Sequence, residues 1–265
     1  GQYYDQVGAG YERRLGASYR FGVRGTYREL RWVVEDGVAP GDSVYRMGNP
    51  GRGPLATMPR AEQRYAALEF SIERSTPGPV YLLASYVLSR NAGNFTGMFE
   101  NDLLMPLPNS GPQYDFPDLM AGPSYGLLAN DRTHYFKGAA SYRLGMGATV
   151  GGFLTVASGT PKSEWGTSAY GAPYHTFVSE RGAVGRTPAV WSLDLHSSYD
   201  LPVGHGRVRP HLLLDVFNIG SPRSAVLYEY RHYLDDAQSQ VNPNYGEVLR
   251  YQPPMSARAG LVVDF

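Results

Sequence analysis

The sequence predicts an all-β protein, an antiparallel meander of about nine strands. Three observations carry this. Gly 32, Pro 20 and Tyr 21 are all high among 265 residues, and these types favour turns, strands and membrane interfaces over helices. Apolar and polar residues alternate with period two in stretch after stretch, as half-exposed strands require. Short and long connections between the stretches alternate strictly. That is the pattern of a transmembrane β-barrel with short periplasmic turns and long extracellular loops.

The strands are expected near 3–14, 17–34, 63–74, 79–90, 133–144, 147–158, 189–201, 207–218 and 256–265. The first two are joined by RLGAS (14–18), a tight glycine turn. In the second, Tyr19, Phe21, Val23 and Tyr27 oppose Arg20, Arg24 and Arg28. A long polar loop, roughly 36–61, leads to the third, where Ala66, Leu68, Phe70 and Ile72 oppose Tyr65, Glu69, Ser71 and Glu73. RSTPGP (74–79) turns the chain into the fourth strand, and a second long loop covers 91–132. In the fifth, Phe136, Ala140, Tyr142 and Leu144 oppose Lys137, Ser141 and Arg143, and RLGMG (143–147) makes the next turn. A third long loop, 158–188, precedes the seventh strand, where Trp191, Leu193, Leu195 and Tyr199 oppose Ser192, Asp194, His196, Ser198 and Asp200. LPVGHGR (201–207) is the last short turn and 219–254 the last long loop. In the final strand Ala257, Ala259, Leu261, Val263 and Phe265 share one face.

A face of repeated charges does not pack in a dry core without partners. It suits the polar lumen of a large barrel, with the apolar face toward lipid. A soluble β-rich binding module would also alternate. Aromatic residues near strand ends favour the membrane, as interface girdles require: Tyr3, Tyr4, Tyr19, Tyr27, Trp32, Tyr81, Tyr135, Tyr142, Trp191 and Tyr199.

Lys+Arg 24 balance Asp+Glu 24, so no basic field recruits nucleic acid. Cysteine is absent, which removes disulfides, thiolate nucleophiles and Cys-based metal sites. No apolar run approaches the ~20 residues of a membrane helix. The start, GQYYDQ, lacks a methionine, a basic segment and an apolar segment, so a signal peptide is missing or removed, or the chain is a fragment.

Chemistry-bearing residues are sparse. His196 and Ser198 are two apart on one strand face, the spacing of a base and nucleophile in a small outer-membrane lipid hydrolase. They lie in phase with Asp194 and Asp200, hence toward the lumen, where a polar wall explains them better than catalysis on lipid. NAGNFTGMFEND and NPNYG are rich in calcium-type ligands, but the required spacing is missing and turn chemistry accounts for them. Asn94-Phe95-Thr96 matches a glycosylation sequon by chance. NDRTHYFKG gathers Asp131, Arg132, His134 and Lys137 at a strand entrance. With a single histidine this reads as an ion-paired rim, Asp131 held by Arg132 or a neighbouring strand, rather than a metal site. Arg52 in NPGRG and Arg186 in GRTP stand in loops where guanidinium groups can meet anions. The ligand-facing candidates are therefore Arg52, Asp131, Arg132, His134 and Arg186. No cofactor, metal or catalytic set is expected.

A series of stretches resembles the C-terminal barrel part of a TonB-dependent outer-membrane receptor, of the Oar-like subclass that carries an N-terminal carboxypeptidase-regulatory-like domain. They are YRELRWVVEDG, NPGRG, YAALEFSIER, SYVLSRNAGNFTGMFENDL, GLLANDRTHYFKG, SGTPKS, RGAVGRTPAVWSLDLHSSYDLP, LLLDVFNIGSPR and NPNYGEVLRYQPPMSARAGLVVDF, in order over nearly the whole chain. The resemblance implies a location in the outer membrane of a Gram-negative bacterium and a receptor or transporter role. The partners it implies are the bilayer, an unknown extracellular ligand, and the TonB system acting through a plug. It also implies that residues 1–265 are the last part of a larger barrel, with no plug of their own. A terminal amphipathic strand ending in an aromatic residue resembles the signal read by the outer-membrane insertion machinery, which assigns that role to Leu261, Val263 and Phe265. The readings left beside this one are the lipid hydrolase and the soluble binding module.

Overall fold

The computed structural model describes residues 1–39, 41, 43–74, 77–97, 99, 100, 102, 112–120, 122–203, 208–220 and 223–265. Nine long strands build one sheet: β1 (Tyr3–Leu15), β2 (Tyr19–Arg31), β3 (Gln63–Arg74), β4 (Val80–Gly93), β5 (His134–Gly145), β6 (Ala148–Ala157), β7 (Val190–Asp200), β8 (Arg209–Phe217) and β9 (Ser256–Asp264). Each pairs antiparallel with the next in chain order, the expected meander. The order leaves β1 and β9 with one wall neighbour each, so the nine strands form an open wall.

The register carries side-chain facing across all nine strands. Phe21 faces Ile72 and Arg20 faces Glu73. Ile72 in turn faces Ala84, and Glu73 faces Leu83. Farther along, His196 faces Asp215 and Leu195 faces Val216, and Asp215 faces Arg258. The apolar sets read separately from β2, β3, β5, β7 and β9 therefore fall on one common face. That face is bare: Val7 is 72%, Tyr11 61%, Leu144 54% and Leu261 61% exposed. Water does not favour so wide an apolar surface, and lipid does.

The other face is laced with charge. Arg20 pairs with Glu73. The Arg28 guanidinium lies 4.7 Å from the Tyr4 ring centre and 5.4 Å from that of Tyr65. Asp215 takes His196 Nδ1 on one oxygen at 2.6 Å and Arg258 on the other, with Nη2 at 2.7 Å. Tyr4, Tyr81 and Tyr135 belong to this inner face, not to an outer girdle. Neighbouring residues alternate sides, so nearness to a strand end does not decide facing. Tyr4 donates to Gln63 Oε1 at 3.0 Å, and Lys137 sits 4.7 Å from the Tyr135 ring centre. Tyr27 and Trp191 remain outside at one end of the wall, Tyr19, Tyr142 and Tyr199 at the other.

The short turns at 16–18 and 146–147 and the long loops project from opposite ends. LPVGHGR lies partly outside the described residues. β2 stops at Arg31 instead of running to 34, because Trp32 turns to φ 54° and Val33 is buried at 2% exposure. The long loops are not structureless. Glu35–Val38 pairs with Tyr45–Gly48, and Ala225–Tyr228 with Val248–Tyr251. Trp165–Thr167 pairs antiparallel with His175–Phe177 and parallel with Arg231–Tyr233, which places parallel pairing in the loops. Among the described residues, helix is confined to three short 3-10 turns at Gly53–Leu55, Pro112–Tyr114 and Pro117–Met120.

Candidate functional site: the extracellular loop cap

The four long loops fold onto one another. Leu30 and Val33, at the exit of β2, pack in one buried cluster with Phe95, Tyr114 and Met120 from the next loop. Val38 N donates to Asp115 O at 2.7 Å and binds the same two loops through the backbone. Trp165 and Tyr230 form a second cluster that joins the third and fourth loops.

Arg181 locks the cap. Its side chain is fully buried and pairs with Asp102 at 3.0 Å. It also donates to Gln113 Oε1 at 2.6 Å and to Ser124 O at 2.8 Å. The guanidinium lies 4.4 Å from the Phe177 ring centre. Trp165 Nε1 donates to Asp102 O at 2.9 Å, so a second side chain of the third loop grips the second loop at Asp102. The Arg181 backbone reaches this place only because residue 126 is glycine. A Cβ at Gly126 would stand 1.9 Å from Arg181 O, inside the carbonyl. Nothing in the sequence pattern singles out Arg181 or Asp102, which are 79 residues apart.

The sequence candidates are distributed as follows. Asp131 is 1% exposed and pairs with Arg186 Nη2 at 2.5 Å, while its other oxygen accepts from Asn91 N at 2.6 Å. Arg186 also donates to Gly159 O at 2.8 Å. Arg132 does not hold Asp131; its Nη1 donates to Ser158 O at 2.6 Å. Burial, with the Arg186 charge adding to it, lowers the Arg132 pKa. These three residues tie the roots of two loops together. His134 is turned to the outer face, where its Nδ1 lies 2.7 Å from Tyr86 Oη, so it parts from Lys137 on the inner face. Arg52 stacks over Trp32, 4.0 Å from its ring centre, away from the others. His196 is on the inner face as expected and its Nδ1 is engaged by Asp215.

The asparagines of these stretches bond to protein groups, Asn242 within its own turn and Asn94 across to distant segments. Asn94 Oδ1 accepts from Glu62 N at 2.7 Å and from Tyr114 Oη at 3.1 Å, and Asn244 N donates to Asn242 Oδ1 at 3.1 Å. Among the described residues no three acidic or histidine side chains gather into a metal-binding group.

One rim of the cap is aromatic and acidic. Phe116 and Tyr170 stack at 3.9 Å, and Tyr174 meets Phe116 edge-on at 5.3 Å. Tyr170 Oη donates to Asp118 at 2.9 Å, and Tyr45 Oη lies 3.3 Å from Tyr174 Oη. Near them Glu35, Asp36 and Asp115 repel one another. Burial, reinforced by Asp36 and Asp115, pushes the Glu35 carboxyl up to about 7. Burial and Asp36 push Asp115 up to about 6. The folded 35–48 hairpin holds these protons more tightly than the open one. Their contribution is fully present at low pH and is lost as pH rises through the folded pKa. Hydrogen-exchange protection at Val38, corrected for the intrinsic rate, is therefore expected to fall between about pH 4.5 and 7. Glu35→Gln should flatten that dependence, and an unchanged slope in the variant would refute the assignment.

These features define a class: outer-membrane β-barrel wall of the Gram-negative kind, lipid-facing on one side, charged on the other and capped by ordered extracellular loops. Comparison with known proteins narrows it. The chain is 31% identical, over 98% of its length, to the TonB-dependent transporter Oar of Myxococcus xanthus, and spans 28% of that relative. Its fold matches the outer-membrane transporter YddB of Escherichia coli with a TM-score of 0.64, over 99% of this chain and 32% of that one. It matches the ferric-catecholate import receptor Fiu of E. coli with a TM-score of 0.50, over 99% and 27%. At 12% and 13% identity these two structures speak for the fold alone. No protein-family model matches the chain. Within the class, sequence and fold place the chain with the barrels of TonB-dependent outer-membrane transporters, of the Oar-like kind.

Proposed function

We propose that the chain is the C-terminal wall and loop cap of a TonB-dependent transporter whose extracellular loops meet the ligand. The observation that carries this is the two-faced open wall. Its inner face presents paired charges suited to a polar filling, and its end strands β1 and β9 each have one free edge for further strands. Energy would come from the TonB system through a plug held against the inner face. The ligand-facing part is the rim of Tyr45, Tyr170 and Asp118. Asp131, Arg132 and Arg186 fix the loop roots, and His134 closes the outer surface. Leu261 and Val263 on β9, with Phe265 one residue past its end, serve as the signal for insertion.

Single-cysteine labelling tests this cleanly, because the chain has no native cysteine. In intact cells a membrane-impermeant maleimide should label Tyr170→Cys from outside. Met146→Cys should react only after the outer membrane is opened. Ser198→Cys, on the inner face, should change its labelling rate when TonB is removed, since a plug that moves uncovers it. An unchanged rate would argue for surface binding without energised transport. Deleting Phe265 should lower the outer-membrane level of the labelled protein, and an equal level would refute the insertion role.

A further inference from the structure

At the extracellular ends of β2 and β3 the outer surface changes character within one residue pair. Tyr27 is the last outward aromatic of β2, and Glu29 and Arg31 follow it on the same face, ~7 Å of strand per two residues. Arg64 faces Glu29 across the ladder. These charges stand where the hydrocarbon ends and lipid headgroups begin, a placement that rests on the long loops being extracellular.

A cavity of about 130 Å³ opens beside them, lined among others by Arg31, Trp32, Arg52, Arg60, Glu62 and Arg64. Arg31 is held by Asp5 at 3.0 Å and Glu29 at 3.0 Å. Arg64 is held by Glu29 at 3.5 Å and Glu62 at 3.1 Å. Among the described residues no carboxylate pairs with Arg52 or Arg60. Two guanidinium groups are thus left over at one pocket.

The pocket is built rather than accidental. Asn49 Nδ2 donates to Trp32 O at 3.0 Å and Val33 O at 2.8 Å, which fixes the NPGRG turn against the exit of β2. Arg52 N donates to Asn49 O at 3.0 Å, and the Arg52 guanidinium carbon then lies over Trp32, 4.0 Å from its ring centre. Gly51 sits at φ 79°, and a Cβ there would stand 2.5 Å from Arg60 Cγ, so glycine lets Arg60 pack against the turn that carries Arg52. Stacking orients a guanidinium and leaves its N–H edge free, and that edge matches phosphate. Trp at this depth is at home between headgroup and acyl chain, and basic pockets beside a bilayer recognise phosphorylated headgroups.

We propose that this pocket binds a phosphate of an outer-leaflet lipid headgroup, with Arg52 and Arg60 as donors and Trp32 against the headgroup–acyl boundary. The charged lining from Glu29, Arg31 and Arg64 lies on the lipid side of the wall, which favours a lipid over a free anion or a transported ligand.

The test uses the protein extracted from its outer membrane in neutral, phosphate-free detergent and examined by native mass spectrometry. The wild type should retain a phosphorylated lipid, and phosphatidylcholine vesicles doped with lipid A should restore it after stripping. In Arg52→Gln/Arg60→Gln, retention should fall by roughly tenfold or more, the loss of charge-assisted contacts. Arg90→Gln removes an outward basic residue outside the pocket and should change nothing. Heat-modifiable migration reports folding, and external labelling of Tyr170→Cys reports orientation separately. Equal retention in the double variant would overturn the proposal. An equal loss in Arg90→Gln, or displacement of the lipid by millimolar inorganic phosphate, would do the same.

Discussion

Replacing Arg181 with leucine is expected to open the loop cap while the barrel wall stays folded. The side chain is fully buried, and its removal strands Asp102, Gln113 Oε1 and Ser124 O together. Breaking a buried ion pair from one side costs about 3–5 kcal/mol, because the remaining charge is left unpaired in a dry setting. The wall makes none of these side-chain contacts; its ladders run from β1 to β9, with Gly126–Leu127 of the second loop paired to the end of β4. Hydrogen exchange should therefore rise across 112–128 and 160–187, and the loops should become protease-sensitive, with heat-modifiable migration kept. Arg181→Lys should recover only part of the loss, since an ammonium cannot reach Asp102, Gln113 and Ser124 at once. Removing Asp102 as well, as Arg181→Leu/Asp102→Leu, should be milder than Arg181→Leu alone. Unchanged exchange in Arg181→Leu would show that the two apolar clusters hold the cap without the knot.

The wall was legible because its signals are local. Period-two alternation and glycine turns such as 145–147 lie within a few residues of one another, and facing follows from counting. The readable part ended where contacts became distant. Asp131 finds Arg186, 55 residues away, rather than its neighbour Arg132. Adjacent residues at a strand entrance point apart, whereas the loop roots bring Arg186 in from the side. The turn of Trp32 out of β2 depends on Asn49 gripping two carbonyls from another segment. No spacing along the chain encodes such a contact. His134 and Lys137 show the same limit in reverse. They are three residues apart, which suggests a group, yet three residues along a strand is an odd step and separates them to opposite faces.

Leu195 and His196 give the sharpest test of which face meets lipid. They are neighbours at the middle of β7, with Leu195 on the bare apolar face and His196 beside Asp215 and Arg258. An arginine on the lipid face near the bilayer midplane costs about 2–4 kcal/mol, whereas a lumen substitution mainly tunes the interior. Leu195→Arg is therefore expected to lose that much stability and to lower folding yield in lipid. His196→Arg should be tolerated, because its guanidinium can still donate to Asp215 and its charge stays in the polar lumen. The pair controls for strand position, since both residues sit at the same depth. Reversible unfolding or folding yield of the barrel in bilayers of fixed thickness reads the difference. If His196→Arg were the more damaging, the facing would be inverted. The Ser198–His196–Asp215 row would then look out into lipid, and a lipid-hydrolysing site would have to be tested there by Ser198→Ala.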